Sequence, residues 1–224
     1  MPEKQTIQID VVSDVVCPWC FLGQKRLDAA IAASPGVDVA VAWRPYQLDP
    51  TIPAEGMDRK AYMRAKFGDK SRLRDAHIRL EELGKAVGIA YDFDAIKVAP
   101  NTLDAHRVIR WAGATGPEAQ NKLVRQLFRL YFEEERNIGD HAVLVEAAEA
   151  CGMDGAVVGS LLASDADRSA VTEEASTASR MGITGVPCFL LEGKYAVMGA
   201  QETDTLADAI RQIADAKQRG ELPA

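Results

Sequence analysis

Long hydrophobic runs are missing from this 224-residue chain. None approaches the ~20 apolar residues that a helix needs to cross a bilayer, so the sequence offers no membrane-spanning helix. An excess of positive charge is missing too: 26 Lys and Arg face 33 Asp and Glu, a formal net charge of −7. That balance speaks against nucleic acid or an anionic membrane as partner. The one basic cluster, Arg59-Lys60, Arg64, Lys66, Lys70, Arg72 and Arg74, is interspersed with acids and reads as a solvated helical surface. Histidines number only three and cysteines four. There is a single CxxC and no HxxxH, so the second ligand pair of a zinc site is absent and no metal is expected. A chain this long has no need of disulfide staples. The opening Met-Pro-Glu-Lys-Gln-Thr carries neither an apolar stretch nor a small-residue cleavage site. It therefore reads as lacking a secretory signal, and the expected location is the cytoplasm.

What is present is ordinary globular composition, 47% hydrophobic and 26% charged, with an ordered change of periodicity along the chain. Thr6 to Val12 alternates and is rich in β-branched residues, the pattern of a strand. Pro18 to about Ala33 places Leu22, Leu27, Ala30 and Ile31 on one helical face, until Ser34-Pro35-Gly36 breaks it. Val37 to Trp43 alternates again, giving a β-α-β unit whose crossover implies a parallel strand pair. From Asp58 to Ser179 only helical periodicity is visible, enough for five to seven helices. Gly68-Asp69, Gly88, Pro100, Gly116-Pro117, Gly139-Asp140 and Gly152 punctuate them. Asn101 and Asp140 suit helix N-caps, Leu123, Leu127, Leu130 and Tyr131 share a face, and Ile89 to Val98 reads as an ordered loop. Beyond Gly182, two short apolar runs, Cys188–Leu191 and Tyr195–Met198, flank Glu192-Gly193-Lys194, a hairpin signal. Thr203 to about Arg219 closes the chain as an amphipathic helix. The expected fold is α/β: a discontinuous unit over 1–57 and 180–224 (β-α-β, then β-β-α), with an all-helical insertion over 58–179.

The chemistry concentrates at Cys17-Pro18-Trp19-Cys20. Cys17 falls at the N-cap of the first helix and Pro18 at its first position, where a missing N–H costs nothing. A helix N-terminus favours thiolate over thiol through its dipole and unpaired amides. On that logic Cys17 attacks a disulfide and Cys20, a turn away, resolves the mixed disulfide, while Pro18 and Trp19 shape the loop. Chance spacing or a structural metal is the blander reading, and the placement straight after a strand weighs against it. A second segment, Gly182-Ile-Thr-Gly-Val-Pro-Cys188, precedes the hairpin; spacing alone favours a trans proline at a strand start.

Together, Cys17–Cys20 and Gly185-Val186-Pro187 resemble the thioredoxin superfamily, in particular its DsbA-like group with a helical insertion. The stretches Ser13 to Gly23, Asn101-Thr102 through Ala105-His106-Arg107, Leu127-Phe128 to Asp140, and Gly182 to Gln201 are similar to FrnE-like cytoplasmic members. The resemblance implies a cis Val186–Pro187 bond packed against the CxxC pair, and a Val186 backbone that pairs with an extended substrate segment. Pro18, Trp19, Val186 and Pro187 are then the substrate-facing residues. It also implies thiol–disulfide exchange with protein or small-molecule substrates and a reducing or oxidising partner system. Glutathione would be a candidate co-substrate, with no bound cofactor beyond the Cys17–Cys20 disulfide, and a homodimer is compatible. Cys188 departs from the pattern, since an apolar or hydroxyl residue is expected there; an inert, core-facing thiol is favoured.

Other polar residues have two readings each. Asp14 either tunes the thiols and relays a proton, or terminates the strand and caps its turn. His106 either lines the cleft as a proton shuttle or substrate contact, or is a hydrogen-bonded structural histidine. His77 and His141 read as surface or cap-proximal, and Cys151, Trp43, Trp111 and the Phe128/Tyr131/Phe132 group as packing. Two competing functions remain. A glutathione-dependent isomerase, similar to 2-hydroxychromene-2-carboxylate isomerase or a kappa-class glutathione transferase, typically has serine at the Cys17 position. A chaperone module would not need both thiols.

Overall fold

A computed structural model of the chain describes residues 6–68 and 70–222. Residues 1–5, 223–224 and Asp69, expected with Gly68 to break a helix, lie outside the described residues. The chain runs β1 (Thr6–Ser13), α1 (Pro18–Ala32), β2 (Asp38–Pro45), β3 (Met57–Asp58), α2 (Arg59–Phe67), α3 (Lys70–Ala86) and β4 (Val98–Ala99). Then come α4 (Leu103–Thr115), α5 (Pro117–Phe132), α6 (His141–Ala150), α7 (Gly155–Leu162) and α8 (Arg168–Arg180), followed by β5 (Cys188–Leu191), β6 (Tyr195–Met198) and α9 (Thr203–Gln218). Strand order is β2-β1-β5-β6, with β1 parallel to β2 and β5 antiparallel to both β1 and β6. This is the thioredoxin arrangement with seven helices between its halves among the described residues.

Alternation along β1 decides which layer each side chain enters. Ile7, Ile9 and Val11 join the main core, which also takes Phe21 and Leu27 of α1, Val108 of α4, Leu123, Leu127 and Phe128 of α5, and Ile210 of α9. The helical segment thus shares one apolar cluster with the sheet. Val12 points the other way, into a smaller cluster with Cys188, Ala178 and Ile183. Edge strand β2 is covered by α5 through Gln120: Trp43 N–H donates to Gln120 Oε1 (2.9 Å) and the Gln120 amide donates back to the Trp43 carbonyl (3.4 Å). Pairing a strand's free backbone in this way blunts its edge.

Two expectations need correction, and one break has no sequence signal. The stretch from 58 onward is not wholly helical, because β3 and β4 form a two-residue antiparallel bridge, too short to leave any periodicity. Asn101 is not the N-cap of α4; Thr102 is, without a side-chain bond, and Asn101 caps from one position earlier by accepting from Leu103 N–H (2.9 Å). A break at 163–167, between α7 and α8, carries no Gly or Pro to announce it. It is held instead by the fully buried Arg107, whose guanidinium donates to the carbonyls of Leu161, Leu162, Ser164 and Ala166 and to Asp104.

Candidate functional site

The first crossover builds the site. After β1 the chain turns through Asp14-Val15-Val16, with Cys17 N–H donating to the Asp14 carbonyl (2.9 Å). Cys17 is the extended N-cap of α1 with no side-chain cap bond, and Pro18 stands at its first position. The Cys17 carbonyl accepts from the N–H groups of Cys20 (3.0 Å) and Phe21 (3.2 Å), which starts the helix. All four cysteines are free thiols, Cys17 4% and Cys20 1% exposed. The Cys17 thiol donates toward the Val186 carbonyl at 3.8 Å, and the Val186–Pro187 peptide is cis. Cys17, Pro18, Trp19, Val186 and Pro187 therefore meet at one end of the sheet.

Burial pushes the Cys20 thiol well above its ordinary value, and the Cys17 side chain and its charge push it further. The Ser13 hydroxyl and the Asp14 backbone pull weakly the other way. Burial of this kind opposes ionisation of the inner thiol. Cys188 is fully buried, and its partner in register is Val12, so it faces the small cluster on the other side of the sheet from Val11. Burial raises its thiol as it does that of Cys151 at the end of α6.

Asp14 and His106, far apart in sequence, are brought together: His106 Nε2 lies 3.4 Å from Asp14 Oδ1 and 2.9 Å from the Tyr46 carbonyl. Asp14 Oδ2 accepts from Leu48 N–H (2.8 Å). Both are buried. His77 and His141 stand apart from the thiols, the first stacked on Phe93 (4.1 Å), the second bonded to Asp104 (2.9 Å).

Three further residues shape this neighbourhood. Tyr91, in the loop before β4, donates its hydroxyl to the Pro18 carbonyl (2.6 Å) and packs edge-on to Phe21 and Phe132. Burial pushes its phenol far up, as do the charges of Cys17 and Cys20. Ser13, the last residue of β1, lies behind Cys20. Gly23 lets α1 approach Pro187: a Cβ there would sit 2.8 Å from Pro187 Cγ and 3.2 Å from Phe189 Cζ. A mid-helix glycine was the available clue. Because a proline ring cannot swing aside, Gly23→Ala should cost about 1–3 kcal/mol in overpacking, against a gain of about 1 kcal/mol in helix propensity. The expected result in urea unfolding is a net loss. Gly159→Ala in α7, whose Cβ would meet only Val145 Cγ2 at 3.7 Å, should instead gain up to about 1 kcal/mol. Equal gains at both sites would contradict the close approach.

Comparison with known proteins places this geometry. A probable DsbA oxidoreductase from Streptomyces coelicolor is 30% identical, with a TM-score of 0.83 over 97% of this chain and 92% of that one. The structure of a 2-hydroxychromene-2-carboxylate isomerase aligns at 19% identity and TM-score 0.69, covering 97% and 100% of the two chains. A cytosolic disulfide reductase, DsbM from Pseudomonas aeruginosa, solved with GSH, aligns at 18% and 0.63, covering 95% and 99%. These last two likenesses concern the fold alone. The model of the DSBA-like thioredoxin domain matches residues 8–211, and the chain, with its paired thiols at the start of α1, belongs to that family.

Proposed function

We propose that the protein is a dithiol–disulfide oxidoreductase of the FrnE-like cytoplasmic kind, with Cys17 as nucleophile and Cys20 as resolving thiol. One observation carries this reading: a free Cys17 at a helix N-cap, beside the Val186 carbonyl, with a second free thiol buried directly behind it. The Cys17 thiolate attacks one sulfur of a substrate disulfide, forming a Cys17–substrate bond as the other substrate sulfur leaves as thiolate. Cys20 then gives up its proton and attacks the Cys17 sulfur. The protein disulfide forms, the second substrate thiolate departs, and two electrons have passed to the substrate. Each step reverses, so the same pair can oxidise dithiols.

Val186 offers backbone groups to an extended substrate, with Pro18, Trp19 and Pro187 lining its path. Trp19 is half-buried beneath the Arg79 guanidinium, 5.9 Å from its ring. Substrates are protein or small-molecule disulfides and thiols, and glutathione is a fitting co-substrate that regenerates the dithiol. In this reading 58–179 is an insertion that walls the site.

The test is turnover of a mixed disulfide between a fluorescent peptide and a small thiol, with glutathione as reductant. Catalysis well above the uncatalysed exchange is expected; a rate equal to the background overturns the assignment. The shape shared with the chromene-carboxylate isomerase favours a second reading, glutathione-dependent isomerisation. Its mark would be isomerase activity unaffected by Cys20→Ser.

A further inference from the structure

We infer that Ser13 and His106, joined by one buried water, form a proton relay that serves Cys20. The inference rests on the dithiol reading, and it explains how a thiol with no path to solvent gives up its proton. Cys20 is 1% exposed, and its burial opposes ionisation. The Ser13 hydroxyl is a side-chain hydrogen-bond partner of the Cys20 thiol, is itself 3% exposed, and has no further partner among the described residues. Buried hydroxyls are seldom left so. Ser13 also borders a cavity of about 10 Å³, walled with it by Val15, Trp43, Arg44, His106, Ile109 and Val124. That is about the space a single water occupies, and a water needs polar partners to stay there; Ser13 and His106 supply them.

His106 is set to receive a proton. Its Nε2 bonds the Tyr46 carbonyl and lies near Asp14 Oδ1, so Nε2 carries hydrogen and Nδ1 is the ring position left to accept one. Asp14 Oδ1 accepts no hydrogen bond among the described residues, and the His106 ring at 3.4 Å is the charged or chargeable group it faces. A carboxylate behind an imidazole fixes its tautomer and stabilises the imidazolium that forms. The other charged and titratable groups nearby are already engaged or lie beyond the carboxylate. Arg44, on the cavity wall, pairs with Asp10 (2.7 Å) and Glu174 (3.5 Å). Tyr62 of α2 and Tyr131 of α5 feel the Asp14 charge, with Arg59 beside Tyr131.

The transfer balances. Cys20 passes its proton to Ser13 Oγ while the Ser13 proton passes through the water to His106 Nδ1. The electron pair left on the Cys20 sulfur forms the bond to Cys17, and the Cys17–substrate bond breaks toward the departing thiolate. The imidazolium returns the proton by the same route when the protein disulfide is reduced. Residues of β1 and of the inserted helix α4 thus act on one sulfur.

Reaction of the reduced protein with an aromatic disulfide that releases a coloured thiol separates the steps in a stopped-flow trace. The first equivalent reports Cys17 attack and the second reports Cys20 attack. Ser13→Ala and His106→Gln should release the first equivalent at the wild-type rate and the second about 10²-fold more slowly, a typical loss for general-base catalysis. The pH inflection of the second phase should shift in both. Ser13→Ala removes a buried hydroxyl that holds no backbone group, so it keeps the fold even where His106→Gln does not. A second phase at the wild-type rate in Ser13→Ala, or equal slowing of both phases, overturns the relay. A wild-type trace without a second equivalent refutes the dithiol reading itself, and the relay with it.

Discussion

Cys17→Ser should abolish exchange, by about 10³-fold or more, as loss of a covalent nucleophile does elsewhere. Cys20→Ser should preserve the first step and halt at the mixed disulfide. The asymmetry follows from position. Cys17 alone stands at the α1 N-cap with Val186 alongside, while Cys20 lies in the main core, 1% exposed. Serine at position 17 retains the hydrogen-bonding group but holds its proton at neutral pH, so no anion is available to attack. Serine at 20 leaves the attack intact and removes the group that ends it. Intact mass spectrometry of Cys20→Ser after incubation with a peptide disulfide should show one adduct per chain. Cys151 and Cys188 will not contribute, because both are buried with raised thiols, and Cys151→Ala with Cys188→Ala should leave exchange unchanged. An adduct on Cys20 in a Cys17→Ser protein would reverse the assignment of roles.

Much of this site was legible because local rules place it. The alternation from Thr6, the proline after Cys17 and the break at Ser34-Pro35-Gly36 fix a strand, a helix start and a return without any distant contact. The turn at Glu192-Gly193, where both residues take positive φ, similarly announces the last hairpin. What stayed hidden depends on meetings between distant segments. Nothing near Tyr91 says that its hydroxyl will reach the Pro18 carbonyl; the clue is Gly84 on α3, where a Cβ would sit 2.7 Å from the Tyr91 ring. Ser13 looks like an ordinary strand end until His106 arrives from α4. Asp14 and His106 likewise meet only through the fold: the Asp14 carboxyl receives the Leu48 N–H from beyond β2 and lies 3.4 Å from the His106 ring. The break at 163–167 was invisible because its cause is an arginine more than fifty positions earlier in the chain.

That arginine carries the largest stability effect expected outside the thiols. Arg107→Ala should lower the unfolding free energy by about 3–5 kcal/mol, the usual loss when one partner of a buried ion pair is removed. Its side chain is wholly buried, and its fork gathers four carbonyls of this turn, of which that of Leu161 also accepts from Ser164. Arg107→Lys should recover little, because a point charge on a flexible stem cannot serve four carbonyls and a carboxylate at once. Acid sharpens the test. Burial raises the Asp104 carboxyl, but hydrogen bonds from Arg107 and His141, with the charges of Arg168 and Arg107, outweigh it and hold the group below its ordinary value. A carboxyl depressed in the folded state stabilises fully above its unfolded pKa of about 4 and loses that contribution as pH falls through the folded value. The difference between wild type and Arg107→Ala in urea unfolding should therefore be widest above about pH 4 and shrink below it. A difference constant across that range would mean that the carbonyl contacts alone, without Asp104, hold the loop between α7 and α8.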